Sequence, residues 1–236
     1  MTTATPAVSR VATAPVTIDH IYRAAVVGAP CWARNHRGQL RQLPMTRWIG
    51  GPSMSARDRL ADEYVLAQCS PRPTLDVGCG PGRITASLQD RNLPALGVDN
   101  CAAAVELTRL RGGAAIRRDV FAPLPAEGCW QQVLLIDGNI GVGGAPATIL
   151  LRLARLLAPG GIIVAEVDGP TTSPNREMLR WETDDHVSHW FPWARVGATA
   201  LGEVANAAGL LIRSVVDIQG RIIAVLAADR PDDGVG

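Results

Sequence analysis

The fold of this chain is decided by the stretch Asp76-Val77-Gly78-Cys79-Gly80-Pro81-Gly82. It ends a short apolar run at 74–77 that predicts a buried strand, and it opens a predicted helix from Arg83 to about Gln89. Glycines let the backbone turn tightly and let a ligand lie against the main chain. In an open α/β sheet, ligands bind at this carboxyl edge of the strands. The stretch therefore predicts the first strand of a parallel sheet with a binding site at its end.

Strands and helices alternate from this stretch toward the carboxyl terminus. We predict strands at 95–98, 115–117, 132–136 and 162–167, the last after a turn at 159–161, and helices at 102–111, 146–157 and 198–208. Two adjacent runs, 211–218 and 221–227, predict a terminal hairpin across Gln219-Gly220. This alternation predicts an α/β fold with helices on both faces of the sheet.

The spacing of the glycines restricts the ligand. A dinucleotide site requires GxGxxG, whereas the sixth position here is Arg83 and the pattern is GxGxG. Asp76 stands two residues before the first glycine, where its carboxylate would repel a pyrophosphate at the helix N-terminus. A ligand with an ammonium group tolerates that acid. A second acid, Asp99, ends the second predicted strand, where it can accept hydrogen bonds from ribose hydroxyls.

Four stretches in this order resemble the successive motifs of the class I S-adenosylmethionine-dependent methyltransferases. They are DVGCGPG at 76–82, GVDN at 97–100, RRDVF at 117–121 and LLAPGGIIVAEV at 156–167. The resemblance covers roughly residues 72–228. It implies a doubly wound, seven-stranded, mostly parallel sheet of order 3-2-1-4-5-7-6 with strand 7 antiparallel, and S-adenosylmethionine as the cofactor.

The resemblance also implies roles for residues at the strand ends. Asp76 and the loop backbone would hold the methionine part, Asp99 the ribose, and Asp119 with Val120 the adenine edge. Asp137 and Gly138 would lie near the sulfonium and the ammonium group. The full expected cofactor set is Asp76, Gly78, Cys79, Gly80, Gly82, Asp99, Asn100, Asp119, Val120, Asp137 and Gly138.

The sequence favours a small-molecule acceptor over a nucleic acid. Amino-methylating DNA and RNA enzymes of this fold carry an Asn/Asp-Pro-Pro-aromatic tetrad after the fourth strand, and here that position reads Asp137-Gly138-Asn139-Ile140. The formal net charge is only +1, without a basic run. All 23 basic residues are arginine, which GC-rich coding explains.

Two segments outside the sheet are candidates for the acceptor pocket. One is 18–51, with two tryptophans and several arginines, and the other is an aromatic insertion at about 168–197. We expect acceptor contacts from Trp48, Trp181, Trp190, Phe191 and Trp193. The alternative is that these aromatics only anchor a loop. His189 and His36 are the candidate general bases, because the pKa of histidine lies near working pH.

Composition and segment pattern complete the expectations. We predict a disordered leader at 1–17, an N-terminal arm or cap at 18–71, and the cofactor-binding domain at 72–232. Five cysteines without a CxxC pair argue against disulfides and a zinc site. No apolar run has the length of a signal segment or a membrane span, so we expect a cytoplasmic monomer or homodimer without a membrane partner.

Three functional hypotheses follow from the sequence. The first is methyl transfer from S-adenosylmethionine to an O, N or C atom of a small molecule by in-line displacement. The second is a regulatory or partner protein that binds S-adenosylmethionine without turnover. The third, ranked lowest, is an RNA methyltransferase, which would require RNA affinity that falls steeply with salt.

Overall fold

The computed structural model describes residues 14–170 and 175–228. Most of the leader predicted at 1–17 therefore lies outside the described residues. Val16, near its end, forms a parallel bridge with Ser188. None of the helices in the described ranges is long and apolar enough to cross a membrane.

A seven-stranded sheet of order β10-β11-β7-β6-β3-β4-β5 is the centre of the molecule. Its strands are β3 (Thr74–Val77), β4 (Ala95–Asp99), β5 (Ala115–Arg117), β6 (Trp130–Leu135), β7 (Leu157–Val167), β10 (Leu210–Ile218) and β11 (Arg221–Ala228). Numbered along this sheet alone, the order is 3-2-1-4-5-7-6. The last strand is antiparallel to both neighbours, so the predicted topology is confirmed.

Helices cover both faces of this sheet, as predicted. They are α3 (Ala56–Ala67), α4 (Arg83–Asp90), α5 (Ala102–Leu110), α6 (Pro146–Leu156) and α7 (Leu201–Asn206). The helix α3 begins after Ser55, whose hydroxyl accepts a hydrogen bond from the Asp58 amide at 3.1 Å. Two apolar clusters form the core, one centred on Leu75, Val133 and Ile163 and the other on Val65, Leu134 and Val164.

The prediction that β7 begins only after a turn at 159–161 was wrong. β7 already begins at Leu157, and Gly160 has a φ of +70° within it. The register between β6 and β7 shifts between Trp130 and Gln132 at the same place. The glycine is thus accommodated as an irregularity inside the strand, which continues pairing on its far side.

A second sheet of four antiparallel strands, absent from the sequence-based prediction, lies outside the first. We call it the cap sheet; its order is β2-β1-β8-β9. Its strands are β1 (Trp32–Asn35), β2 (Leu40–Gln42), β8 (Asn175–Glu182) and β9 (Phe191–Arg195). The short helices α1 (Ile18–Val26) and α2 (Met45–Ile49) flank it. The two segments predicted to form the acceptor pocket are thus joined in one sheet.

The register of the cap sheet determines which side chains share a face. Ala33 of β1 is opposite both Arg41 and Trp181, and Leu179 is opposite Phe191. Because side chains alternate along a strand, residues that are directly opposite each other on neighbouring strands point to the same face of the sheet. The set on one face, here called the inner face, is Ala33, Asn35, Arg41, Asn175, Glu177, Leu179, Trp181, Phe191, Trp193 and Arg195. Ala33, Glu177 and Leu179 are buried on it.

Candidate active site

The glycine loop forms a tight turn at the carboxyl end of β3. Gly78, Gly80 and Gly82 have φ values of +71°, +55° and +82°, which favour glycine. A Cβ at Gly82 would come within 2.8 Å of the Thr108 backbone, so this glycine permits α4 and α5 to pack closely. At Gly80 a Cβ would meet only the Tyr22 hydroxyl, at 3.3 Å. The exposed backbone of Gly80 is therefore the part of the loop that can lie against a ligand.

Asp99 lies directly beside this loop. Its Oδ2 accepts a hydrogen bond from the Gly80 amide at 3.0 Å and its Oδ1 one from the Cys101 amide at 2.8 Å. Burial raises the pKa of this carboxyl, against the lowering effect of these two amides. Each oxygen retains a free lone pair, and so the side chain can accept further hydrogen bonds from a diol.

Asp76 is buried below the loop. Its Oδ2 accepts a hydrogen bond from the Thr85 hydroxyl at 2.6 Å. Burial raises the pKa of Asp76 to about 6, although Thr85 and Arg83 lower it. The Cys79 side chain packs against β4, since its Sγ would lie 2.7 Å from a Cβ at Gly97. Of Cys79, therefore, the loop can offer only the backbone to a ligand.

The other residues expected around the adenine lie at the ends of the neighbouring strands. Asn100 is exposed, and its carbonyl accepts a hydrogen bond from Arg117 Nε at 3.1 Å. Asp119 is exposed and accepts a hydrogen bond from the Phe121 amide at 2.9 Å. Val120 is buried next to it. Because β5 pairs with β4, this group lies on the Asp99 side of the sheet.

Asp137 has a different environment from the one expected. Its carboxylate forms ion pairs with Arg83, with Arg47 at 3.0 Å and with Arg221 at 3.5 Å. Burial opposes ionisation, but the three guanidinium groups hold the pKa of Asp137 below its ordinary value. The Asp137 side chain is thus held in this network of ion pairs. The backbone next to it is open at Gly138, where a Cβ would meet nothing within 4 Å.

The same network connects the cap to the main sheet. Arg221 is 2% exposed and binds Glu166 through two hydrogen bonds, at 2.9 and 2.6 Å, and Asp62 at 3.1 Å. Arg47 belongs to α2 of the N-terminal arm. The arm is therefore fixed to the carboxyl edge of the sheet by an ion pair as well as by apolar packing.

Aromatic rings of the cap sheet and of the N-terminal arm form one cluster near the glycine loop. The ring of Trp181 is 6.1 Å from that of Tyr22, 5.7 Å from Trp48 and 6.3 Å from Phe191. Phe191 is in turn 6.3 Å from Trp193. Trp193 packs on Gly141, where its Nε1 would be 2.7 Å from a Cβ. Four of the five aromatics expected to contact the acceptor are thus brought together.

The fifth aromatic and both histidines lie elsewhere. Trp190 is 43% exposed, and the Arg180 guanidinium stacks over its ring at 4.9 Å on the outer side of the cap sheet. His189 is exposed at the same turn. His36 is exposed in the turn between β1 and β2, where its Nδ1 accepts a hydrogen bond from the Met178 amide at 3.4 Å. The cap strand alternation directs Trp190 away from the inner face, so we no longer expect it to contact an acceptor.

Charged residues of the inner face were missed by sequence reasoning. Arg195 binds Asp168 through two hydrogen bonds, at 3.1 and 2.7 Å. Glu177 is buried and accepts a hydrogen bond from Asn35 at 3.0 Å. The alternation of Phe191, Trp193 and Arg195 at every second position was the available signal for a strand with this face inward.

Arg41 differs from Arg195, the other arginine of the inner face. Within the part of the chain that the structure describes, its guanidinium makes no hydrogen bond and no ion pair. Surrounding protein, together with the positive charges of Arg195 and Arg47, lowers its pKa, although Asp168 and Glu177 act in the opposite direction. Its side chain still reaches solvent. Arg41 is therefore an exposed cation on the cap sheet whose charge is not neutralised at close range.

Comparison with known proteins agrees with this architecture. A family described as "Methyltransferase domain" matches residues 75–165. A trans-aconitate 2-methyltransferase of Methylobacterium radiotolerans is 32% identical over 148 residues, which are 60% of this chain and 52% of that protein. The corresponding protein of Paracidovorax citrulli is 28% identical over 135 residues, 56% of this chain and 48% of that protein. The matched stretches span about half the length of these relatives.

Solved structures share the fold. A Bacteroides fragilis S-adenosylmethionine-dependent methyltransferase in complex with S-adenosylhomocysteine has a TM-score of 0.70 and 18% identity, covering 90% of this chain and 92% of that one. The CcbJ methyltransferase of Streptomyces caelestis has a TM-score of 0.57 and 18% identity, covering 76% and 92%.

The sheet order, the glycine loop and the matched domain together define a class I methyltransferase domain. Residues 75–165 match the methyltransferase domain family, and the fold is that of the S-adenosylmethionine-dependent methyltransferases of solved structure, so the cofactor is S-adenosylmethionine. The residues present fit that group. The open backbone at Gly80 and Gly138 leaves room for a ligand, and Asp99 has free lone pairs for the ribose hydroxyls.

Proposed function

We propose that this chain transfers the methyl group of S-adenosylmethionine to a carboxylate oxygen of a small organic acid. The observation that carries the proposal is Arg41, a cation without a close partner among the described residues, on the aromatic inner face of the cap sheet. That face lies opposite the carboxyl edge where the cofactor domain binds its ligand. An acceptor between the two would meet a guanidinium group on one side and aromatic rings around it.

The electrostatics of the inner face favour an anionic acceptor. Arg195 and Arg47 both have acidic partners, whereas Arg41 has only the more distant Asp168 and Glu177. A guanidinium group presents a planar array of donors that matches a carboxylate in a bidentate geometry. Binding of a carboxylate would therefore neutralise the charge that the protein leaves unpaired. The names of the relatives, trans-aconitate 2-methyltransferases, support an organic acid as acceptor.

The chemistry required of the protein agrees with the residues present. S-adenosylmethionine supplies a methyl group on a sulfonium; the oxygen–carbon bond forms as the carbon–sulfur bond breaks, and the electron pair leaves with sulfur. A carboxylic acid is already ionised at neutral pH, so no proton has to be removed from it. This reaction needs no general base, which agrees with exposed positions for His36 and His189. The protein's contribution is to orient the acid and exclude water.

A panel of acceptors tests the proposal. We expect S-adenosylhomocysteine and a methyl ester to form with trans-aconitate or other unsaturated or aromatic acids, and no product with the corresponding amides. Product masses and alkaline hydrolysis identify the ester. Turnover with amines or phenols only would contradict a carboxylate acceptor. Tight S-adenosylmethionine binding without turnover on any acceptor would favour the regulatory hypothesis instead.

Arg41→Gln is the matched substitution. The loss of a charged hydrogen-bond partner costs about 1.5–3 kcal/mol, so we expect kcat/KM for the acid to fall by roughly ten- to a hundredfold, mainly through KM. Affinity for S-adenosylhomocysteine should be unchanged. Arg37→Gln is the control, because Arg37 is exposed in the turn between β1 and β2. An equal loss in both variants would show that bulk charge, not Arg41, attracts the acceptor.

A further inference from the structure

Buried donors without acceptors cluster in the N-terminal arm. Among the described residues, two buried side-chain donors of this arm have no hydrogen-bond acceptor, Tyr22 Oη and Trp48 Nε1, whereas Arg47 Nε lies 3.0 Å from Asp137 Oδ1 in an ion pair. Buried polar groups in native proteins are nearly always paired, because a buried unpaired donor loses its hydration without compensation. The cluster therefore indicates a missing acceptor.

Tyr22 has the better-defined position of the two donors without an acceptor. It is 3% exposed, and its hydroxyl lies 3.3 Å from the position that a Cβ on Gly80 would occupy. The amide of Gly80 is the one that binds Asp99. The Tyr22 hydroxyl consequently points at the part of the glycine loop where the backbone is open to a ligand.

The helix that carries Tyr22 is firmly docked. Asp19, one turn earlier on α1, accepts hydrogen bonds from the Ala103 amide at 2.9 Å and from Cys101 Sγ at 3.4 Å. Its carboxylate thereby satisfies an amide in the first turn of α5. The Tyr22 ring stacks with Trp181. Tyr22 is thus held between α5 and the cap sheet, so its hydroxyl cannot easily turn to solvent for a partner.

The chemical character of the cluster identifies the acceptor. The indole N–H of Trp48 can only donate, and burial together with Asp99 raises the pKa of Tyr22, so that its hydroxyl remains protonated and able to donate. Ribose and adenine each present donors as well as acceptors. The carboxylate of the methionine part is an acceptor only, and it is the one anionic group of S-adenosylmethionine.

We infer that the Tyr22 hydroxyl binds the methionine carboxylate of S-adenosylmethionine, so that the N-terminal arm completes the cofactor site as well as the acceptor pocket. Sequence reasoning placed this arm only on the acceptor side. The inference rests on the proposed cofactor but not on the acceptor class. Tyr22 would be a cofactor-positioning residue outside the four motif stretches.

Calorimetry with two ligands tests this inference on the whole chain. S-adenosylhomocysteine has the amino-acid carboxylate, whereas 5′-methylthioadenosine has the same adenosine part without it. We expect Tyr22→Phe to weaken S-adenosylhomocysteine binding by about tenfold or more and to leave 5′-methylthioadenosine binding unchanged. Tyr64→Phe, which changes the other tyrosine of the chain, is the control and should alter neither affinity.

The possible failures are distinguishable. Wild-type protein that does not bind S-adenosylhomocysteine would contradict the proposed function itself. Wild-type binding with an unchanged affinity in Tyr22→Phe would overturn the inference alone. Equal weakening of both ligands would also overturn it, because the hydroxyl would then act on the adenosine part or on the fold. A lower melting temperature of Tyr22→Phe without ligand would show that the substitution acts on the fold.

Discussion

Asp99 is held in place from two sides, by the amides of Gly80 and Cys101. These bonds fix the carboxylate before any ligand arrives, so little conformational entropy is lost when a ribose binds. We predict that Asp99→Ala weakens binding of S-adenosylhomocysteine by about 2–3 kcal/mol, since buried hydroxyls lose a charged acceptor. Calorimetry on folded protein measures this change.

Asp99 and Tyr22 are expected to contact different parts of the cofactor, and this difference can be tested. A ribose partner should affect every ligand that contains adenosine, so Asp99→Ala should weaken 5′-methylthioadenosine by a similar factor. Asp119→Ala provides a comparison at the next strand end, where the carboxylate is exposed. Wild-type affinity of the Asp99 variant for both ligands would refute the role of this residue.

Residues within the motif stretches were predictable because their positions follow from local spacing. Asp76, the loop glycines and Asp99 each stand at the end of a strand that the sequence indicates, and parallel strands bring their ends to one edge. Arg195 and Glu177 were not predictable in this way. The alternation in 191–195 indicates a strand face, but the partners of Arg195 and Glu177 come from distant segments of the chain, which no local pattern records.

At the level of elements, β9 separates two tryptophans that the sequence presents as equivalent. Trp193 is on the inner face against Gly141, while Trp190 precedes the strand and is exposed under Arg180. We predict that Trp193→Ala lowers kcat/KM for the acceptor about tenfold or more through lost apolar contact, and spares affinity for S-adenosylhomocysteine. Steady-state kinetics and calorimetry on one preparation measure both quantities.

Trp190→Ala is the matched control for this prediction. It removes an exposed ring and should leave turnover and cofactor affinity close to wild type. If Trp193→Ala lowers the melting temperature and cofactor affinity together with turnover, the ring only anchors β9 on the loop after β6. The acceptor pocket would then have to lie nearer to Trp48 and Trp181.

The main sheet was predictable as a set of elements, and the cap sheet was not. Strands β3 to β7 are apolar and alternate with helices, which is the signal of a parallel sheet covered on both faces. In β8 the inner positions carry Glu177, Leu179 and Trp181, and the outer ones carry mostly charged groups. Because a binding face includes polar groups, the usual contrast between an apolar and a polar face is weak there. β1 and β2 are also only four and three residues long.

For the whole molecule, the class of cofactor can be tested without knowledge of the acceptor. Ligands that bind only the folded state raise the melting temperature according to their concentration and affinity. We predict a rise of several degrees with S-adenosylmethionine or S-adenosylhomocysteine at saturating concentration, and none with NAD or NADP. Thermal unfolding with each ligand measures this, and a comparable rise with NAD would contradict the interpretation of the GxGxG spacing.

The cap sheet has a consequence for how the chain is made. Arg34 on β1 and Glu182 on β8 are ion-paired across 148 positions of sequence. At roughly 5–20 residues per second, a ribosome needs about 7–30 s to add the segment between them. During that time β1 and β2 exist with one edge open, because the strand that pairs with β1 has not been synthesised. The strands β3 to β7, with the glycine loop, are synthesised before β8 and β9, so the loop can form before the cap sheet is complete.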